Sequence, residues 1–169
     1  CLATENSFHS LHYEYLRGVT TIRGVVRTAC TALWTCLQPV LMAEKNEEDW
    51  LSIADEFNHR TNFPNCIGAV DGKHIRMCKP DGSGSEFFNY KSYFSTVLMA
   101  LVDADYKFVA IEVGASGSSS DSNIFKQSHL YRRLERNELN MPNGGPLSQD
   151  EHGEHMPFVI VADEAFALS

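Results

Sequence analysis

The chain has 169 residues, of which 43% are hydrophobic and 21% are charged, and its formal net charge is −8. This composition is that of a globular domain with a core of its own, and it argues against a disordered or fibrous chain. The acidic balance also argues against broad contact with nucleic acid, because phosphate binding needs Lys and Arg.

The apolar runs, the first residues and the cysteine pattern argue against membrane, secreted and disulfide-rich proteins. No apolar run is long enough to cross a bilayer, so no membrane association is expected, and the first ten residues lack the basic and apolar regions of a secretory signal. The five cysteines form no CxxC pair, which fits a reducing intracellular compartment better than a disulfide framework. Because the chain begins with Cys1 and ends soon after an apolar run, we expect it to be a fragment of a longer protein.

Residues 1–60 are predicted to form an N-terminal helical segment. Apolar residues at helical spacing predict three helices in it, over residues 6–17, 20–37 and 47–59. Thr20 or Thr21 is the predicted N-cap of the second helix, and Pro39 is its predicted end. With Gly18 at the turn, the first two helices form either a DNA-reading helix–turn–helix or, as we favour, plain helix packing.

Residues 61–169 are predicted to form a second domain with the element order β-β-β-α-β. The predicted strands are 66–78, 93–102, 107–113 and 158–162. Asp121 or Ser122 is the predicted cap of the single helix that precedes the last strand. The polar stretch 137–157 is predicted to be a mobile surface loop.

This order brings two distant aspartates together. Three consecutive strands can pair antiparallel, and a crossover helix then lays the fourth strand parallel to the first. Asp71 follows the first half of the first strand, and Asp163 directly follows the last strand. Two aspartates there form an oxygen site suited to Mg²⁺ or Mn²⁺, which supports phosphodiester cleavage. The alternative is that each aspartate is a turn or cap residue.

Four ordered motifs resemble Harbinger-type DDE transposases and their domesticated nuclease relatives. They are the stretches 62–75 (NFPNCIGAVDGKHI), 88–100 (FNYK, then STVLMA), 113–125 (VGASGSSSDSNIF) and 158–166 (FVIVADEAF). The resemblance implies an α/β (α+β) fold with an RNase H-like mixed sheet, a divalent metal site and DNA-strand cleavage. It places the family's first two catalytic, metal-binding aspartates on Asp71 and Asp163. Asp121 matches a recurrent family aspartate that either caps a helix, which we favour, or lies near the metals.

The family's third acidic residue lies beyond the second aspartate motif, and the chain ends before that position. Glu164 cannot substitute for it, because neighbours on a strand point to opposite faces. Ala162 and Ala167 stand where relatives commonly have Gly and Pro, so continued catalytic use is in question. We expect the parent protein to be a divalent-metal-dependent nuclease and this fragment to be inactive alone.

Basic residues near Asp71 are candidates for contact with DNA. They are Lys73, His74, Arg76 and Lys91. His74 could equally be a buried, satisfied imidazole. A zinc site at His152 and His155 is an alternative that the polar surroundings disfavour.

Three hypotheses follow from the sequence. The first is a metal-dependent DNA endonuclease or transposase, the second an inactive DNA- or protein-binding module derived from one, and the third an unrelated α+β domain. The first implies DNA as a partner, a separate DNA-binding partner protein that supplies specificity, and a nuclear location with a cytoplasmic one as the alternative. A homo-oligomer is compatible with all three.

Overall fold

The computed structural model describes residues 6–147 and 153–166. Contacts divide the chain into two compact units, residues 1–43 and 44–169. The first unit holds α1 (Phe8–Tyr15) and α2 (Val19–Leu41). The second holds α3 (Glu47–Thr61), β1 (Cys66–Arg76), β2 (Ser95–Val102), β3 (Phe108–Ser116), α4 (Asp121–Gln127), α5 (His129–Glu135), β4 (Val159–Ala162) and a 3-10 turn, η1 (Glu164–Phe166). None of the described helices combines the length and apolarity needed to span a membrane.

The ends of α2 differ from the sequence prediction. Gly18 is its N-cap, so the prediction of Thr20 or Thr21 was wrong. Pro39 lies inside the helix, which continues to Leu41. Pro39 cannot donate to the carbonyl of residue 35, but the turn continues past it, because the Met42 N–H donates to the Gln38 carbonyl at 2.9 Å.

Helix α3 begins with a capping box. The Asn46 side chain accepts from the Asp49 N–H, and the Asp49 carboxylate accepts from the Asn46 N–H. Its buried face carries Trp50, Ala54 and Phe57, and the helix packs on β1. The structure therefore groups α3 with the sheet, whereas the sequence boundary after residue 60 placed it with the first two helices.

The four strands form one mixed sheet in the order β3-β2-β1-β4. β1 and β3 pair antiparallel with β2, and β4 pairs parallel with β1. The expected RNase H-like mixed sheet is thereby confirmed. The core lies on the face that carries the alternate buried residues of β2, namely Ser95, Val97, Met99 and Leu101. Ile124 and Phe125 of α4 and Phe166 of η1 join the same core.

The predicted single helix after β3 is two short helices. Ser120 caps α4 by accepting from the Asn123 N–H, and Ser128 caps α5 by accepting from the Tyr131 N–H. The prediction that Asp121 or Ser122 is the cap was therefore wrong. Ser120 is preferred because its backbone is extended there, as an N-cap requires, whereas Asp121 is already the first helical residue.

The described part of the stretch 137–157 differs from a plain surface loop. Leu139 is buried, and its carbonyl accepts a hydrogen bond of 2.7 Å from the indole N–H of Trp50. Gly145 and Met156 pair as an isolated β-bridge. Residues 148–152 of the predicted loop lie outside the described residues.

Candidate active site

The parallel pair β1–β4 places Asp71 and Asp163 side by side. Val70 is the register partner of Ala162, and the two aspartates are the residues that follow them. Neighbouring strands lie about 4.8 Å apart, so the two backbones are close at this point. Both residues are exposed. The structure thus brings together two residues that are 92 positions apart in the sequence.

Packing after β4 fixes the backbone that carries Asp163. The chain turns at once into η1, where the Phe166 N–H donates to the Asp163 carbonyl at 3.1 Å. Phe166 is buried and meets the Phe125 ring of α4 edge-on, with 5.9 Å between centroids. This contact ties the end of β4 to α4, the helix that begins with Asp121.

The carboxylate of Asp121 lies directly against the backbone of β1. A Cβ atom on Gly72 would be 2.4 Å from Asp121 Oδ1, so only glycine leaves room for it. Alternation along β1 points Asp71 away from the face on which Asp121 lies. Asp121 Oδ1 is buried and has no hydrogen-bond partner among the described residues. A buried carboxylate oxygen without a donor is costly, so this position needs a separate explanation.

The three carboxylates are electrostatically coupled. Burial raises the pKa of Asp121 above its usual range, and His74 acts in the opposite direction. The charges of Asp71 and Asp163 raise the pKa of Asp121 further. An additional positive charge would relieve this repulsion.

The carboxylate oxygens of the three aspartates are of the ligand type that a divalent cation such as Mg²⁺ prefers. Within residues 6–147 and 153–166, no three His, Cys, Asp or Glu side chains already stand together as a metal-ligand cluster. The strands do offer two exposed aspartates at adjacent backbone positions, and Asp121 offers a buried oxygen without a hydrogen-bond partner among the described residues. Mg²⁺ takes one or two carboxylates and fills its remaining positions with water or substrate oxygens, so a full protein cage is not required.

A polar network around Ser95 includes His74, which lies within electrostatic range of Asp121. His74 Nδ1 and Ser95 Oγ are 2.9 Å apart, and Asn89 Nδ2 donates to the same oxygen at 2.9 Å. Ser95 and Asn89 are both buried, and His74 is half-buried. The Tyr90 ring packs edge-on against His74, with 5.8 Å between centroids.

Two glycines make the close approaches possible. Gly72 makes room for Asp121, and Gly117 makes room for Ser95, because a Cβ on Gly117 would be 2.3 Å from Ser95 Oγ. Both glycines come from motifs that carry the family resemblance. Gly72 lets the Asp121 side chain reach β1, and Gly117 lets the turn after β3 pass close to Ser95 of β2.

The structure divides the predicted DNA-contacting residues. Lys73 is exposed on the face of β1 that carries Asp71, whereas His74 and Arg76 lie on the other face. The Arg76 guanidinium stacks over Tyr93 at 4.6 Å, and the Lys91 amine lies 5.3 Å from the Tyr90 ring. Both cations sit on aromatic residues near His74.

The zinc alternative gains no support from the described residues. His155 Nδ1 lies 2.8 Å from the Gly144 carbonyl, which occupies that nitrogen. His152 lies outside the described residues.

Sequence reasoning missed Ser95 as a functional candidate, although a signal was present. Ser95 stands at the head of a period-two series whose later members, Val97, Met99 and Leu101, are apolar. A hydroxyl on the buried face of a strand needs a polar partner, and this requirement points to a buried network.

Comparisons with known proteins identify the family of this chain. A profile of DDE superfamily endonucleases matches residues 70–169. The chain is 34% identical over 125 residues to the ALP1-like protein of Arabidopsis thaliana. The aligned residues cover 70% of this chain and 30% of that protein. It is 28% identical over 98 residues to the antagonist of like heterochromatin protein 1 of the same plant. These residues cover 57% of this chain and 25% of that protein.

A mammalian relative is also similar. HARBI1 of Rattus norvegicus, named as a candidate nuclease, is 29% identical over 84 residues, which cover 50% of this chain and 24% of that protein. The chain thus spans about a third or less of the length of these relatives. No solved structure matches it.

Proposed function

The chain belongs to the DDE superfamily endonucleases, as the Harbinger-type resemblance implied, and on that basis we propose that its parent protein cleaves DNA phosphodiester bonds with a divalent cation. Asp71 and Asp163 would hold the cation. DDE superfamily endonucleases generally use divalent metals, and we propose Mg²⁺ or Mn²⁺ here. When bound, such an ion supplies the charge that activates water and steadies the leaving oxygen.

The observation that carries the proposal is the register of β1 with β4. Val70 is paired with Ala162, so Asp71 within β1 and Asp163 just beyond the end of β4 are the next residues along two adjacent parallel strands. If the two aspartates were unrelated turn residues, nothing would require them to follow paired residues of adjacent parallel strands. Asp163 follows the carboxyl end of β4, a place that ligand sites in such sheets favour.

Asp121 would act as an accessory carboxylate. Its oxygen is buried without a donor and is repelled by the other two aspartates, an arrangement that favours a cation nearby. A helix cap does not explain the residue, because Ser120 is the cap. Structural need does not explain it either, since an unpaired carboxylate destabilises the fold.

Basic and aromatic residues beside the carboxylates would guide DNA. Lys73 lies on the Asp71 face, and Arg76 and Lys91 are held over aromatic rings near His74. With a net charge of −8, this chain has few cations for sequence reading, so we propose a separate DNA-binding partner for target choice and a nuclear location.

Cleavage by the intact protein tests the proposal. A labelled DNA duplex is incubated with Mg²⁺, with Mn²⁺ or with EDTA, using the wild type, Asp71→Asn and Asp163→Asn. Asp105→Asn is the matched control, because Asp105 is bound to Arg60 and Lys107 at the β2–β3 hairpin. Metal-dependent cleavage that both site variants lose and the control keeps is expected. Undiminished cleavage by Asp71→Asn would reject the assignment.

A binding module without catalysis is the second candidate. One relative is named as an antagonist of another protein and not as a nuclease. This candidate predicts DNA or protein binding by the intact protein that is equal in EDTA and in Mg²⁺, and is unchanged in Asp71→Asn.

A further inference from the structure

We infer that Asn89 and Ser95 are positioning residues that hold His74 as its Nε2–H tautomer, ready to donate to a phosphate oxygen of DNA beside the carboxylates. The phosphate contact rests on the proposed function. The tautomer itself depends only on the hydrogen bonds within the chain.

The orientation of Asn89 is the first step. Its Oδ1 accepts from two backbone N–H groups, those of Lys91 at 3.0 Å and Tyr93 at 3.2 Å. An amide nitrogen in that place could accept neither bond. The Nδ2 group must therefore face Ser95 Oγ and donate to it.

The hydroxyl proton of Ser95 is the second step. Ser95 is fully buried, and its Oγ already accepts from Asn89. In the described part of the chain, His74 Nδ1 is the only other hydrogen-bond partner of this hydroxyl. A buried hydroxyl proton without an acceptor is costly, so Ser95 donates to Nδ1.

The state of His74 follows from these two bonds. Nδ1 accepts and is unprotonated, so the proton of the neutral ring sits on Nε2. Nε2 has no hydrogen-bond partner among the described residues, and the ring is half-buried within electrostatic range of Asp121. His74 therefore presents one fixed donor on the face of β1 against which Asp121 lies. A neutral donor of this kind can bind a phosphate oxygen without competing for the cation.

The chain contains its own reference histidines. His12 Nδ1 lies 2.6 Å from the Arg17 carbonyl, and His155 Nδ1 lies 2.8 Å from the Gly144 carbonyl. A carbonyl can only accept, so both rings must carry a proton on Nδ1. Among the seven histidines, His74 is thus expected to be protonated on the opposite nitrogen from His12 and His155.

Long-range ¹H–¹⁵N NMR of the intact, histidine-labelled protein above pH 8 tests the tautomer. His74→Gln identifies the signal. The expected result is an Nε2–H pattern for His74 and a larger Nδ1–H population for His12 and His155. An Nδ1–H pattern or an even mixture at His74 would overturn the inference.

Substitution of Asn89 tests the positioning role. In Asn89→Asp the carboxylate accepts the Ser95 proton, so Ser95 Oγ must accept from His74 Nδ1–H and the tautomer inverts. Ser95→Ala leaves His74 Nδ1 without its donor and adds no charge, so it should give a mixture of the two His74 tautomers. This variant replaces Asn89→Asp if Asn89→Asp does not fold. An unchanged Nε2–H pattern in Ser95→Ala refutes the positioning role.

The use of the donor is tested with a short DNA duplex. Its addition should shift the His74 Nε2 resonance in the wild type, and Asn89→Asp should lower the cleavage rate roughly ten- to hundredfold, the worth of one hydrogen bond to a charged group. A duplex that shifts other site resonances but leaves Nε2 unmoved overturns the phosphate contact. Wild-type protein that shows the tautomer but neither binds nor cuts DNA instead refutes the proposed function.

Discussion

The two units of this chain differ in how fully their apolar side chains are buried. In the first, Leu11 and Ile22 are buried, while α2 leaves Val25, Trp34 and Val40 more than half exposed. In the second, the alternate residues of β2 are almost wholly buried, and Gly72 and Gly117 leave room for close approaches to Asp121 and Ser95. A site that needs fixed donors and carboxylates can be built in the second unit, because close packing there restricts side-chain positions.

The largest expected effect concerns function in the second unit. Asp163→Asn keeps the size of the side chain and removes its charge. We expect a loss of roughly 10³-fold in metal-dependent cleavage by the intact protein, as for removal of a group central to catalysis. Substitution of Glu14 in α1 by Gln should leave the rate unchanged. Equal losses of cleavage in the two variants would mean that catalysis does not depend specifically on the sheet unit.

Core truncation sharpens the contrast in stability. Leu101→Ala should lower the free energy of unfolding by about 3 kcal/mol, because Leu101 is only 1% exposed. Leu33→Ala in α2, where the side chain is 49% exposed, should change it by less than about 0.5 kcal/mol.

Each unit has its own fluorescent reporter for this measurement. The chain has two tryptophans, Trp34 in α2 and Trp50 in α3. Urea unfolding of a Trp34→Phe background follows Trp50 and therefore the sheet unit. A loss for Leu33→Ala as large as that for Leu101→Ala would show that α2 is packed in solution.

Asp121 should show a conflict between stability and function. Without metal, Asp121→Asn should raise the free energy of unfolding by about 1 kcal/mol at neutral pH, since it removes a poorly solvated charge repelled by two others. Burial raises the pKa of Asp121 in the folded state, so the wild type gains stability as pH falls through that pKa. The advantage of Asp121→Asn should therefore shrink on acidification and vanish below the unfolded-state pKa.

Thermal unfolding of both proteins from pH 7 to pH 3 measures this difference, and Mn²⁺ should stabilise the wild type more than Asp121→Asn. Gly72→Ala is a second probe, because its methyl group would displace the Asp121 carboxylate. An Asp121→Asn protein that is less stable than the wild type at every pH would show that Asp121 has a structural role.

The smallest effect is expected at the β2–β3 hairpin. The hydrogen bond from Lys107 lowers the pKa of Asp105, and Arg60 acts in the same direction. The contribution of Asp105 to stability is present above its unfolded-state pKa and is lost as pH falls through the lower folded-state pKa. Asp105→Asn should lower Tm slightly at neutral pH, and added salt should abolish the difference because the pair is exposed. A large, salt-independent drop would contradict this view.

Much of the fold could be predicted from residue patterns. The strand order and the meeting of Asp71 with Asp163 follow from period-two runs and the rule for crossovers, and the structure has that topology. The end of α2 and the cap of α4 were wrong, because a single Pro or Asp is a weak local signal. At both places the backbone bonds of the neighbouring residues decide the outcome.

The polar network could not be predicted in the same way. Asn89, Ser95 and Gly117 come from three segments, and their contact depends on distances that no pattern in the sequence specifies. Asp121 was expected to be a helix cap for the same reason, since its close approach to Gly72 exists only in the folded chain.

The most direct test of the account is the binding of Mn²⁺ to the intact protein, measured by electron paramagnetic resonance as the loss of the free-ion signal. The wild type and Asp105→Asn should bind the ion equally, whereas Asp71→Asn and Asp163→Asn should each bind it far more weakly. If both site variants take up Mn²⁺ as the wild type does, the two aspartates beside the β1–β4 pair are not a metal site.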